Sequence, residues 1–250
     1  LAGILLAPQL QLGAVTSKPK LRMTDFLASM PPAYGRAFGL ADVAEHARIV
    51  ARRGKALAHA EFCKVGGGSV VCVVADDRPG LLALLTDALL VHNVGIRSAQ
   101  VYCRVRADGA TEAVDFLDLH EAHVGPGFDV SELESFLHTL TELIAEDIRV
   151  TARPSTAPAR SVPSARAYFE LEALRRNQYV LLVEAPDTQG LLHGITSALY
   201  AQGVRILACQ IGTDAGTARD RFEIASISGD RLSGPDLCDI QLAVLSSLPR

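Results

Sequence analysis

Two stretches of this chain are copies of one another, and that repeat constrains the fold more than any other feature. Laid over residues 187–211 with no gap, residues 77–101 match at ten of 25 positions: Asp77/Asp187, Gly80/Gly190, Leu81/Leu191, Leu82/Leu192, Thr86/Thr196, Ala88/Ala198, Leu89/Leu199, Val94/Val204, Ile96/Ile206 and Gln100/Gln210. The offset is a constant 110. Such a match marks one supersecondary unit used twice, so each residue is read first as part of that unit.

Both copies share one physical grammar. "SVVCVVA" (69–75) and "YVLLVEA" (179–185) are Val-rich and too short for helices, so they read as buried strands. A turn follows, where Asp77 or Asp187 suits a helix N-cap and Pro79 sits where a missing N–H costs little. The next segments place Leu81, Leu85, Ala88 and Leu89, or Leu191, Ile195, Ala198 and Leu199, on one helical face. Asn93 and Gly203 then stop the helices, being the two residue types that most easily take the left-handed conformation after a helix end.

Two extended segments follow in each copy, 96–105 and 112–119, then 206–213 and 221–227, joined by turns holding Asp108-Gly109 and Asp214 with Gly216. A second helix is expected over 129–146, with Ser131 and Glu134 in capping-box spacing, and over 233–248. Residues 167–174 offer a closing strand for the first copy, after the Pro, Ser and Ala-rich connector; the second copy must lack or borrow one. The expected fold is therefore α+β: two ferredoxin-like βαββα(β) units in tandem behind a short helical N-terminal segment. The divisions read as 1–65 for the helical and linker segment, 66–174 for the first unit including connector 151–166, and 175–250 for the second.

Composition narrows the class. The 250 residues carry a formal charge of -4 and 49% hydrophobic residues, with no uninterrupted apolar run of membrane-spanning length, so neither a membrane nor a nucleic-acid partner is expected. Residues 1–60 hold eight Lys or Arg against Asp25, Asp42 and Glu45. Without interleaved aromatics that excess reads as a solvated helical face before it reads as a docking arm. Five scattered cysteines, none in a Cys-x-x-Cys pair, read as reduced thiols in a cytoplasmic protein. The apolar opening lacks a basic flank and is broken by Pro8, Gln9 and Gln11, unlike a signal peptide.

"VVADDRPGLLALLTDALLVHNVGIRSAQVY" resembles the opening of an ACT domain, a small-molecule regulatory module of amino-acid metabolism, and "LVEAPDTQGLLHGITSALYAQGVRILACQI" resembles a second. "DFLASMPPAYGRAFGLADVAEHARIV" (25–50) is similar to the segment before the tandem ACT domains of bacterial uridylyltransferase/uridylyl-removing enzymes, which modify the nitrogen-regulatory PII protein. The resemblance covers about residues 24–250, the C-terminal end of that family. It implies regulation by an amino acid, glutamine first, with nitrogen or amino-acid sensing as the context and self-association through ACT units. It also names what this stretch lacks. The family's nucleotidyltransferase needs a Gly-Ser turn followed by Asp-x-Asp, and its hydrolase a His-Asp pair, whereas Gly68-Ser69 is followed only by adjacent Asp76 and Asp77 and no His precedes an Asp. No catalysis, metal or cofactor is expected of this stretch; the alternatives are that catalytic domains lie upstream, or that the module binds partners without a ligand.

A free amino acid needs an anion site close to an acceptor. The first turn of a helix supplies unpaired N–H groups for the carboxylate, and an aspartate beside it accepts from the ammonium. The candidate ligand set is Asp77, Arg78, Pro79 and Gly80 with Leu81 and Leu82, then Asn93 and Ile96 beyond the helix, and in the second copy Asp187, Gly190, Leu191 and Leu192. Plain N-capping is the competing reading for each Asp. The first copy, with Asp-Arg-Pro-Gly intact, is the favoured site, since Thr188-Gln189 replace Arg-Pro in the second. His120 and His123 read as loop residues, "GGGS" (66–69) as a linker, and His46 as a buried or capping helix residue.

Overall fold

The structure, a computed structural model, describes residues 21–66, 68–121, 128–146, 165–170 and 177–248. Residues 1–20, His123 and most of the connector fall outside them, and of His120 only the backbone is described. Three helices come first among the described residues: α1 (Met23–Ser29), α2 (Pro32–Ala37) and α3 (Leu40–Arg53). The first unit follows as β1 (Ala58–Val65), β2 (Gly68–Asp76), α4 (Leu81–Val91), β3 (Val94–Val105), β4 (Thr111–Glu121) and α5 (Val130–Ala145). The second is β5 (Arg166–Phe169), β6 (Tyr179–Pro186), α6 (Leu191–Ala201), β7 (Val204–Asp214), β8 (Thr217–Ser226) and α7 (Gly234–Ser247).

All eight strands form one antiparallel sheet in the order β1-β2-β4-β3-β7-β8-β6-β5, which reads the same from either edge. The units join at β3 and β7, where Gln100 faces Gln210. Above that line the Thr86 and Thr196 hydroxyls meet at 3.3 Å. Both pairs are equivalents at the 110-residue offset, so a pseudo-two-fold axis runs between them. These are the two ferredoxin-like units the repeat demanded.

The closing strands differ from expectation. Residues 166–169 pair with β6 of the second unit, not with the first, and the first unit is closed by β1, which sequence reasoning left in the N-terminal segment. Loop length explains both. Val65 pairs with Gly68, leaving a two-residue turn with Gly66 at φ 57°, so "GGGS" makes a hairpin and not a linker. With β1 on the outer edge of β2, residues 166–169 take the edge of β6, which begins after nine intervening residues. Each unit thus has its extra strand in front.

The helix ends show a second difference. Both inner helices begin at a glycine N-cap, Gly80 (φ 82°) and Gly190 (φ 83°), with no side-chain cap. Asp77 and Asp187 are therefore not caps. The Leu81 N–H bonds to Arg78 O and the Leu191 N–H to Thr188 O, each 3.1 Å, so a tight turn separates the Asp from the helix. The capping box of α5 uses Asp129 and Glu132, two residues before the expected pair, because the Asp129 carboxylate reaches the Ser131 and Glu132 N–H groups. Asn93 (φ 57°) and Gly203 (φ 69°) stop α4 and α6 as read.

Leucine-rich faces of α4 and α6 and the inner faces of α5 and α7 cover one side of the sheet, with Leu84, Leu85, Leu117, Phe136, Leu181, Ile195 and Phe222 fully buried between them. α7 closes hard on α6 at Gly194, where a Cβ would meet Ser247 O at 2.5 Å. The other side of the sheet is treated differently in the two units. Behind the first, α1–α3 pack Phe26, Tyr34, Phe38 and Ile49 onto Tyr102 and Phe116. His46 lies buried in α3 with its Nδ1 2.7 Å from the Tyr34 hydroxyl, a structural role. Behind the second unit, strand alternation turns out Arg219, Arg221 and Glu223, paired among themselves and with Glu184, Asp214 and Glu170.

Candidate functional site

Each turn faces the far end of the other unit's inner helix. The pseudo-axis therefore creates two equivalent clefts, one at Asp77–Gly80 against the end of α6 and the start of β7, the other at Asp187–Gly190 against the end of α4 and the start of β3. Their volumes differ tenfold. The second-turn cleft holds about 320 Å³ and the first-turn cleft about 30 Å³. The larger falls at the lower end of the size range of small-molecule sites, which begins near ~300 Å³.

Two aligned pairs of residues make the difference. At the first turn Tyr200 lies so close over Gly80 that a Cβ there would stand 3.1 Å from its ring, and Arg205 Nη2 is 2.8 Å from Asp77 Oδ2. The equivalent positions at the second turn are Leu90 and Gly95. Leu90 stays 3.7 Å from a Gly190 Cβ, and Gly95 brings no side chain to Asp187. Arg78 also closes the first turn, donating from Nη1 to Ile144 O at 3.3 Å.

The open cleft is polar at mouth and floor and apolar along its walls. At the mouth, exposed Asp187 accepts from Thr213 Oγ1 at 2.9 Å, and Gln189 Nε2 donates to Asn93 Oδ1 at 2.6 Å, tying the two units together. Leu89, Leu90, Ile96, Leu191 and Ile211 form the walls. Deeper, the Thr86 hydroxyl lies 3.4 Å from His193 Nδ1. On the floor, Asp220 is only 2% exposed, and its Oδ1 has no hydrogen-bond partner among the described residues. Burial pushes its carboxyl up to about 7; the Gly212 backbone hydrogen bond opposes this and the Asp187 charge adds to it. Asp115 holds the matching place under the first turn, and burial, then the Asp77 charge, drives it well above the usual carboxylate range.

A helix N-terminus without a side-chain cap supplies N–H donors for an anion, and a buried carboxylate oxygen below it, without a partner among the described residues, calls for a donor. Together they suit a small zwitterion or amide. Of the residues singled out in sequence, Asp187, Gly190, Leu191, Leu192 and Ile96 line the open cleft, with Asn93 at its rim. Asp77, Arg78, Gly80, Leu81 and Leu82 line the filled one, and Pro79 lines neither. Sequence reasoning missed Thr86, Leu90, Gly95, His193, Thr213 and Asp220. Thr86 was visible as a repeat identity. Asp220 was hidden because the second hairpin is five residues shorter, so Ala113-x-Asp115 aligns with Ala218-x-Asp220 only at an offset of 105.

No family model matches the chain. Curated relatives do, among them several bifunctional uridylyltransferase/uridylyl-removing enzymes. That of Bradyrhizobium diazoefficiens is 27% identical over 230 residues, 87% of this chain and 24% of the relative. That of Ralstonia nicotianae is 28% identical over 196 residues (77% and 22%), and that of Streptomyces coelicolor 25% over 185 (72% and 22%). The chain resembles the C-terminal region of these enzymes. It spans about a quarter of the length of the curated relatives it matches. Among solved structures, an aspartate kinase from Synechocystis aligns over 64% of this chain and 24% of its own at 10% identity and a TM-score of 0.36. No helix among the described residues is long and apolar enough to cross a membrane.

Proposed function

We propose that this chain is a non-catalytic regulatory region that binds one free amino acid, glutamine first, in the cleft at Asp187–Gly190. The observation that carries the reading is the buried Asp220 oxygen, without a partner among the described residues, beneath an uncapped helix start in a cleft of about 320 Å³. The ligand carboxylate sits on the first-turn N–H groups of α6, its ammonium on Asp187, and a side-chain amide donates to Asp220. Binding draws α6 and β7 of one unit towards α4 and β3 of the other, and this changes the relative population of unit arrangements. Glutamine as the first candidate, nitrogen sensing as the setting and a cytoplasmic location come from the enzymes the chain resembles.

The strand pairing supports dividing the described residues into a helical segment over 21–57, a first unit over 58–146 and a second over 165–248. The names of the relatives favour a second reading on top of the first: the region serves as the regulatory end of a uridylyltransferase whose catalytic domains lie upstream. Self-association through the outer faces of the units belongs to the same proposal.

Thermal unfolding against the twenty protein amino acids tests it. A true ligand at 100 times its Kd adds about 2.7 kcal/mol of stability. The expected result is a shift with glutamine or a close analogue that disappears in Asp187→Ala. No shift with any amino acid would leave only the partner-binding module without a ligand.

A further inference from the structure

The filled cleft reports on the open one. Under the pseudo-two-fold axis the two clefts are the same site, built from the same elements with the same aspartate, glycine, leucine and buried carboxylate positions. In the first, the space against Asp77 is taken by a guanidinium that belongs to the chain, with its Nη2 at 2.8 Å, and the space over Gly80 by a phenol ring. Asp77 is left with 8% of its side chain exposed. In the second, glycine stands where Arg205 would be and a shorter leucine where Tyr200 would be, and Asp187 is exposed.

We infer that Arg205 and Tyr200 are the resident internal ligand of the first site, so that the chain takes one external ligand, and that Gly95 and Leu90 select this ligand by leaving room for a cationic group on Asp187 and an apolar body over Gly190. This deepens the reading of the second turn as a ligand site and rests on it for the identity of the open cleft. The chemistry is set by the occupant the protein supplies itself. A cation pairs with the aspartate of the turn, and a flat or branched apolar group covers the glycine whose missing side chain lets it approach. Thr188 and Gln189, which looked like losses against Arg78-Pro79, fit the same scheme: neither carries a charge that would compete for Asp187.

The inference is tested by counting sites on the full chain by isothermal titration, with L-glutamine and then each of the other nineteen protein amino acids as probes. Wild type should bind one equivalent. Tyr200→Leu with Arg205→Gly, which installs the residues the other cleft already carries, should bind two. Gly95→Arg should bind none while keeping its melting temperature, and it tests the idea independently should the double variant not fold. Two equivalents on wild type, one on the folded double variant, or full binding by Gly95→Arg would overturn the inference and leave the proposed function standing. No binding by wild type with one equivalent on the double variant would keep Arg205 and Tyr200 as occupants of the first site but overturn the single external ligand, and with it the proposed site. No binding by either would sink both.

Discussion

Two copies of one fold have been finished in opposite ways. The first unit is closed on both of its functional surfaces: α1–α3 and an aromatic cluster seal the back of its sheet, and Tyr200 with Arg205 fills its turn. Among the described residues nothing packs on the back of the second, which carries a lattice of ion pairs, and its turn stays open. The difference teaches that the repeated residues specify the scaffold, whereas the residues that differ between copies decide which copy anchors and which receives. Asp, Gly, Leu and Leu are shared; Arg78/Thr188, Leu90/Tyr200 and Gly95/Arg205 are not.

The largest effect should come from breaking the seal of the first unit. Glu112 is buried between Arg53 of α3 and Arg104 of β3, at 2.6 Å from each, and Arg53 also reaches Asp76 at 2.9 Å. Glu112→Ala leaves two guanidiniums without their shared partner, and loss of one member of a buried pair costs about 3–5 kcal/mol. Denaturant unfolding should register that loss, whereas Arg219→Ala on the back of the second unit, an exposed pair, should cost about 1 kcal/mol or less. Equal effects would erase the contrast between the two faces.

Next in size is Asp220→Asn. A carboxyl raised from 3.8 to about 7 on folding binds more protons folded than unfolded, so wild-type stability falls as pH rises from about 4 through 7. The amide removes that dependence. Its melting temperature should exceed that of wild type by several degrees at pH 8 and scarcely at pH 4, and a gap that does not widen with pH would mean Asp220 is not buried as ionised carboxylate. A ligand donor on Asp220 has to displace that proton, so affinity should weaken below pH 7 by at most about tenfold per unit. Smallest, and most specific, is the aspartate pair. Asp187→Ala should abolish the ligand-induced shift with little change in the stability of the free protein. Asp77→Ala should leave the ligand-induced shift intact and cost roughly 1 kcal/mol through Arg205, a partly exposed pair.

Much of this was legible beforehand because it follows from local rules. The repeat gave strand, turn, helix and stop, and Asn93 opposite Gly203 identified a left-handed backbone position that the structure has at φ 57° and 69°. The closing strands were misassigned because pairing is a contest for edges, and nothing in "AYFELEAL" says that β2 is already taken by β1. The first turn was favoured as the ligand site because a turn motif describes one wall of a cleft. How open that cleft is depends on the opposite wall, 100 or 120 residues away, where Leu90 or Tyr200 stands. Asp77 shows the same limit: local spacing made it a cap, while a guanidinium 128 residues on makes it half of an ion pair.

The leading position of β1 and β5 has a consequence for how the chain is made. Synthesis runs from the N-terminus, and a unit closed by a trailing strand must wait, with the edge of its first core strand bare, until the rest of the unit has left the ribosome. Here the partner of β2 has emerged before β2 itself, two residues ahead, and the partner of β6 nine residues ahead. Each outer hairpin therefore zips locally, at low loop-closure cost, and the edge most prone to pair with a neighbouring nascent chain is covered from the moment it exists.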